Sequence, residues 1–199
     1  MLEVGSGFGF FLDVCEELGI PAVGCDIAPA RVEYANRERE RARLGTLDGH
    51  YQDESFDAVF AFNLIEHLAH PRDFVVQARR VLKPAGVLAL ETPIQESLFH
   101  GLARAGYVLS KGRVNLLAMN PGGHNYKFSK RTFARICDDM GFSPAHQGNL
   151  NSPFGEIWGK SSIVSLRHRF WYRLALPPVW LIAAAMGAGN RLFVILRKT

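Results

Sequence analysis

The chain has 199 residues, 48% of them hydrophobic and 21% charged, with a formal net charge of +4. This length and balance suit one globular domain with a sizeable core and exclude a disordered chain. A charge of +4 does not by itself imply nucleic acid. The three cysteines (Cys15, Cys25, Cys137) have no C-x-x-C spacing, which argues against a disulfide frame or zinc site and for a reducing compartment.

Leu2-Glu3-Val4 is an apolar stub that runs into Gly5-Ser6-Gly7-Phe8-Gly9 and then into a helical pattern. Glycines at alternate positions give a sharp turn that a ligand can approach closely. The helix behind it presents free N–H groups and a positive dipole end. Strand, turn and helix together predict a nucleotide-type cofactor. The dinucleotide fingerprint needs a third glycine at position 10, where Phe10 stands. The pattern present is acid-x-G-x-G-x-G, starting at Glu3. It resembles motif I of the class I S-adenosylmethionine-dependent methyltransferases. The resemblance implies that Gly5, Ser6, Gly7 and Gly9 lie along the methionine part of S-adenosyl-L-methionine. It implies that Glu3 holds the turn and the cofactor's amino group. That family usually has a helix before this strand, so an N-terminally shortened domain is expected. Residues 1–12 lack the basic start of a signal peptide, and a cytoplasmic chain is expected.

Phe11, Leu12, Val14, Cys15 and Leu18 recur at helical spacing, and Gly19 ends the helix. Pro21–Asp26 reads as a buried strand ending in an acid. Asp26 lies 21 positions after Gly5, and an acid about 20 residues on accepts ribose hydroxyls in such folds. The alternative is a cap on a helix near Pro29. The resemblance adds Ile27 to the cofactor set. Residues 29–43 read as one solvated, charged helix. Gly45–Asp48 stands where the family has its third strand and adenine-side loop. There Leu47 would line the adenine and Asp48 would accept from its amino group, although Asp48-Gly49 is also an ordinary turn pair.

Asp53–Asn63 is an acidic turn, Phe56-Asp57 and an apolar run, which reads as a buried parallel strand. It resembles the family's fourth strand, and Leu64–Leu68 resembles its "xxEHL" helix start. Asn63 and Ile65 fall at the strand's carboxyl end, where open α/β sheets bind ligands. Residues 71–82 read as a helix, Lys83–Gly86 as a turn and Val87–Pro93 as a fifth strand. This alternation predicts a doubly wound, mostly parallel sheet. The resemblance makes it the seven-stranded, Rossmann-like methyltransferase fold, with residues 1–93 as the cofactor half and 94–199 as the substrate half.

Leu98–Leu109 reads as a helix and Asn120–Gly123 as a loop. Ser129 is a good N-cap for a helix through Met140, ended by Gly141. The His124–Ser129 run resembles a segment of methyltransferases related to the ubiquinone-pathway O-methylating enzymes, whose histidine loop faces substrate. An apolar helical insertion is expected at about 163–187. Its uncharged run from Leu174 to Asn190 is too short to span a bilayer. Residues 167–186 either pack on the fold or touch a membrane surface. Arg191–Lys198 resembles the family's antiparallel last strand.

The expected function is methyl transfer from S-adenosyl-L-methionine to a small-molecule or lipid-linked acceptor, with oxygen favoured by resemblance. An inactive cofactor-binding module is the alternative. His67 and His124 are the candidate bases, each also readable as structural, and Tyr126 is a further pocket candidate. No metal is expected, since His67 and His70 have no acid cluster beside them. Nucleic acid is not an expected partner, because no N/D-P-P-Y run follows the fourth strand.

Overall fold

The computed structural model describes residues 1–48, 51–94, 96–113, 124–126, 128–152, 154–155 and 166–199. Seven strands form one sheet: β1 Leu2–Val4, β2 Val23–Asp26, β3 Ala42–Leu44, β4 Phe56–Phe62, β5 Leu82–Pro93, β6 Phe142–Leu150 and β7 Arg191–Lys198. Their order is β3-β2-β1-β4-β5-β7-β6. The first five pair in parallel, and β7 lies antiparallel between β5 and β6. The order turns back on itself between β1 and β4, so a crevice opens at the carboxyl ends of those two strands.

The helices are α1 Phe10–Glu17, α2 Pro29–Ala35, α3 Pro71–Val81, α4 Leu98–Leu109, α5 Lys130–Asp138 and α6 Leu166–Ala185. Leu2, Val59, Leu82, Leu88 and Leu90 are fully buried at the centre of the sheet. Their strands are near-continuous apolar runs because helices cover both faces. Val75, Ala78 and Val81 give α3 its buried stripe at helical spacing.

Three elements differ from the sequence reading. The single helix expected over 29–43 ends at Ala35, and the third strand is Ala42–Leu44. Asn36 explains the break: its Oδ1 accepts from the backbone N–H of Arg41 and Ala42, and its Nδ2 donates to the Ala42 carbonyl. Such local side-chain bonds compete with helix continuation. Arg41 is then buried rather than solvated. Its Nε donates to the Ala35 carbonyl at 2.8 Å, and its guanidinium pairs with Asp13 and Glu16 of α1. Arg41→Ala removes that brace and should cost about 3 kcal/mol, read as a lower urea midpoint at unchanged m.

The other two differences flank α3. The "xxEHL" run forms a short 3-10 turn, Ile65–His67, and α3 starts at Pro71. The Lys83–Gly86 turn is absorbed into β5 as a bulge, with the register against β4 shifting between Phe56 and Ala58. Among the described residues, the apolar insertion is one helix, α6, interrupted by no loop although Pro177 and Pro178 lie inside it. Residues 163–165, the whole of the expected Asn120–Gly123 loop, and Lys127 lie outside the described residues. No helix of the described residues is long and apolar enough to cross a membrane.

Candidate functional site

The glycine turn joins β1 to α1 at the mouth of the crevice. Gly5, Gly7 and Gly9 have φ of +74°, +54° and +82°, values that favour glycine. The Gly5 and Ser6 N–H groups both donate to the Cys25 carbonyl, at 2.8 and 3.0 Å, which ties the turn to the end of β2. A methyl group on Gly24 would lie 2.6 Å from Ser6 Cβ, so β2 must carry glycine where the turn crosses it. At Gly7 a methyl group would meet no atom within 4 Å. The turn is therefore closed on its β2 side and open on the other.

Asp26 sits at the end of β2, nearly buried. Its Oδ2 accepts from Gly7 N–H at 2.9 Å and its Oδ1 from Ala28 N–H at 2.8 Å. It braces the glycine turn against the start of α2, and the N-cap itself is Ala28. Each carboxylate oxygen keeps a lone pair for a further donor. Ile27 beside it is exposed, whereas Leu47 and Ile65 are packed into the main core. Asp48 is exposed and bonded to Thr46 within its own turn. Leu47 and Ile65 thus have little side-chain surface for a ligand.

Glu3 is the unusual residue. It lies on β1 with 6% of its surface exposed, and its Oε2 is buried with no hydrogen-bond partner. Burial, reinforced by the Asp26 carboxylate, pushes its pKa up to about 8. A buried, unpartnered carboxyl costs free energy that a cationic donor would offset.

Asn63 follows β4 with φ +49°, a conformation asparagine tolerates better than most residues. Its exposed side chain stands at the crevice. Leu64, next in the chain, closes on the turn: a methyl on Gly5 would lie 3.1 Å from Leu64 Cδ1. The 3-10 turn that comes next is thereby held beside the glycine turn.

The fold joins that 3-10 turn to residues 124–126. Asn125 and Tyr126 N–H donate to the Glu66 carbonyl at 2.8 and 3.1 Å. Asn125 Nδ2 donates to the His67 carbonyl, and the Tyr126 hydroxyl to the Ala69 carbonyl. The His67 and His124 rings meet edge to face, 4.7 Å apart. Glu66 is fully buried, its Oε2 accepting from Thr92 at 3.0 Å and its Oε1 without a partner. One ligating atom from each of Glu66, His67 and His124 lies within 4.8 Å of the others. Sequence spacing suggests only His67 and His70 and hence no metal. The fold assembles a different trio, one acid and two imidazoles that could hold a divalent cation.

Comparison with known proteins decides which nucleotide the crevice serves. The sequence model of the family described as "Methyltransferase domain" matches residues 2–90. Residues 2–90 thus resemble a methyltransferase domain in sequence. The chain is 27% identical to the ubiquinone biosynthesis O-methyltransferase of Nitrobacter winogradskyi, an alignment covering 84% of this chain and 66% of that one. It is 30% identical to the same-named protein of Roseobacter denitrificans over 46% of this chain and 40% of that one. The chain thus spans between two fifths and two thirds of these curated relatives. A solved S-adenosylmethionine-dependent methyltransferase from Archaeoglobus fulgidus superposes with a TM-score of 0.64 at 16% identity, covering 99% of this chain and 85% of that one. That likeness carries the fold. S-adenosylmethionine, the cofactor of the methyltransferases that the chain resembles, fits what the residues offer. Its ammonium matches the orphaned Glu3 Oε2, and the open side of Gly7 leaves its chain room against the backbone.

Proposed function

We propose that the chain methylates an oxygen of a small-molecule or lipid-linked acceptor, using S-adenosylmethionine. The observation that carries this is the unpartnered, buried Glu3 carboxyl at the glycine turn of a methyltransferase domain. The bound cofactor supplies a methyl group already activated on a sulfonium. The protein's part is to hold, orient and deprotonate. Glu3 receives the amino group, while the turn from Gly5 to Gly9 sets the depth of binding. Asp26 keeps that turn rigid and offers its remaining lone pairs to ribose hydroxyls. His67, beside the turn through Leu64, takes the proton from the acceptor hydroxyl, and His124 orients its ring. The two same-named O-methyltransferases support oxygen as the acceptor atom.

A second reading rests on the Glu66–His67–His124 trio. A divalent cation there would lower the acceptor's pKa directly, in place of a base. The two readings separate by chelation. With a base, turnover on phenolic acceptors should survive EDTA. With a cation, it should fall to background and return with Mg2+ or Mn2+.

The overall reading is tested by calorimetry with S-adenosylhomocysteine, followed by methyl transfer to a panel of catechols, phenols and prenylated phenols. Saturable binding and a methylated oxygen, located by mass spectrometry, are expected. Methyl transfer only to nitrogen or carbon acceptors would overturn the choice of oxygen. Absence of S-adenosylhomocysteine binding would overturn the whole reading.

A further inference from the structure

The two ends of the chain differ sharply in charge. Residues 1–96 carry 16 acidic and 9 basic side chains, whereas residues 97–199 carry 3 acidic and 14 basic ones. From 97 to 137 there is no Asp or Glu, and none follows Glu156. α4 and α6 lie in these acid-free stretches and pack on one another.

Both helices also turn apolar side chains to solvent. On α6 one face is fixed inward: Leu176 and Ala183 are buried, and Trp180 Nε1 donates to the Ser152 carbonyl at 3.0 Å. The opposite stripe, Leu174, Pro178, Leu181 and Ile182, continues to Met186 just past the helix. Leu181 is 62% and Met186 68% exposed. On α4, Ala103 faces in while Leu102, Val108 and Leu109 face out, Leu109 at 83%. Arg104, Lys111, Arg113 and Arg173 are exposed on or beside the same two helices. Isolated surface leucines are ordinary, but two adjoining helices with outward stripes mark an interaction surface.

We propose that the α4–α6 face seats the protein on an anionic lipid surface. An apolar stripe flanked by basic side chains is what such a surface selects: the apolar atoms enter the acyl boundary and each Lys or Arg gains from the headgroup charge. A second copy fits worse. A two-fold dimer would bring the same patch against itself, so the basic group of Arg104, Lys111, Arg113 and Arg173 would meet a second group of the same charge. Neither helix crosses the bilayer, so the association is peripheral. This inference is independent of the acceptor and of the chemistry at His67.

The test is co-sedimentation of the full chain with phosphatidylcholine vesicles, with and without phosphatidylglycerol. Strong partition onto the anionic vesicles is expected, with little onto phosphatidylcholine alone, and it should weaken as salt is raised. Leu181→Asp with Ile182→Asp should lower partition by about a hundredfold, and Arg104→Glu with Lys111→Glu by about tenfold. Unchanged S-adenosylhomocysteine affinity in each variant shows that it is folded. The proposal is overturned if wild type ignores anionic vesicles, or if the Asp variant partitions like wild type. It is overturned equally if light scattering finds a dimer that the Asp variant dissolves while neither form binds vesicles.

Discussion

His67→Ala should lower kcat by about a hundredfold to ten-thousandfold while the Kd for S-adenosylhomocysteine stays within about twofold, as removal of a positioned base or ligand does. The split follows from where the ring stands. His67 ends a turn whose first residues are core, with Ile65 fully buried and Glu66 tied to Thr92. Its own ring is exposed and meets His124. Truncation therefore removes an exposed ring and leaves the buried Ile65 and Glu66 in place. Single-turnover methyl transfer beside calorimetry separates the two quantities. An equal loss in both would mean that His67 holds the crevice together rather than acting on the acceptor. His124→Ala should give a smaller loss of the same kind, since Asn125 and Tyr126 still anchor its segment through the Glu66, His67 and Ala69 carbonyls.

Glu3→Gln should weaken S-adenosylhomocysteine binding by about tenfold to a hundredfold, the usual worth of a charge-assisted hydrogen bond to a buried acid. It should also change the pH dependence. Burial holds the folded-state pKa of Glu3 near 8, against 4.5 when unfolded. The folded chain therefore keeps a proton that the unfolded chain gives up. Stability is greatest below about 4.5 on this account and falls as pH rises through about 8. A cationic partner reverses the preference, because it binds the ionised carboxyl. Cofactor-product binding near pH 7 should then release about one proton, seen as a dependence of the calorimetric enthalpy on buffer ionisation. In Glu3→Gln that dependence should vanish, and thermal stability should decline less between about pH 4.5 and about pH 8, the window between the two pKa values. Proton release that persists in the variant would place the titrating group elsewhere.

The sheet and the glycine turn were legible because their signals are local. A glycine at every second position, an acid at the end of a four-residue apolar strand, and Phe56-Asp57 before an apolar run each report a backbone need that neighbours in sequence supply. The misplaced third strand shows the limit. Arg37 to Arg41 reads as a solvated helix face by composition, yet one amide side chain, Asn36, ends the helix and turns Arg41 inward. The Glu66–His67–His124 trio was out of reach for another reason. Its members come from segments 57 residues apart, and no spacing rule links them until Asn125 and Tyr126 are seen bonded to the Glu66 carbonyl. Asp26 was read as either a ribose acceptor or a cap. The structure gives it a brace between turn and helix, which composition does not distinguish from either.

The placement of β7 between β5 and β6 bears on how the chain is made. β6 pairs only with β7 among the described strands, and roughly 40 residues, α6 among them, separate the two. At about 5–20 residues per second, a ribosome leaves β6 without a partner for several seconds. During that interval β5 also presents an open edge, and two unsatisfied strand edges invite pairing with other chains. The step most exposed to aggregation is thus the docking of a single hairpin-less strand, and a nascent chain stalled within α6 should be the form that chaperones hold longest.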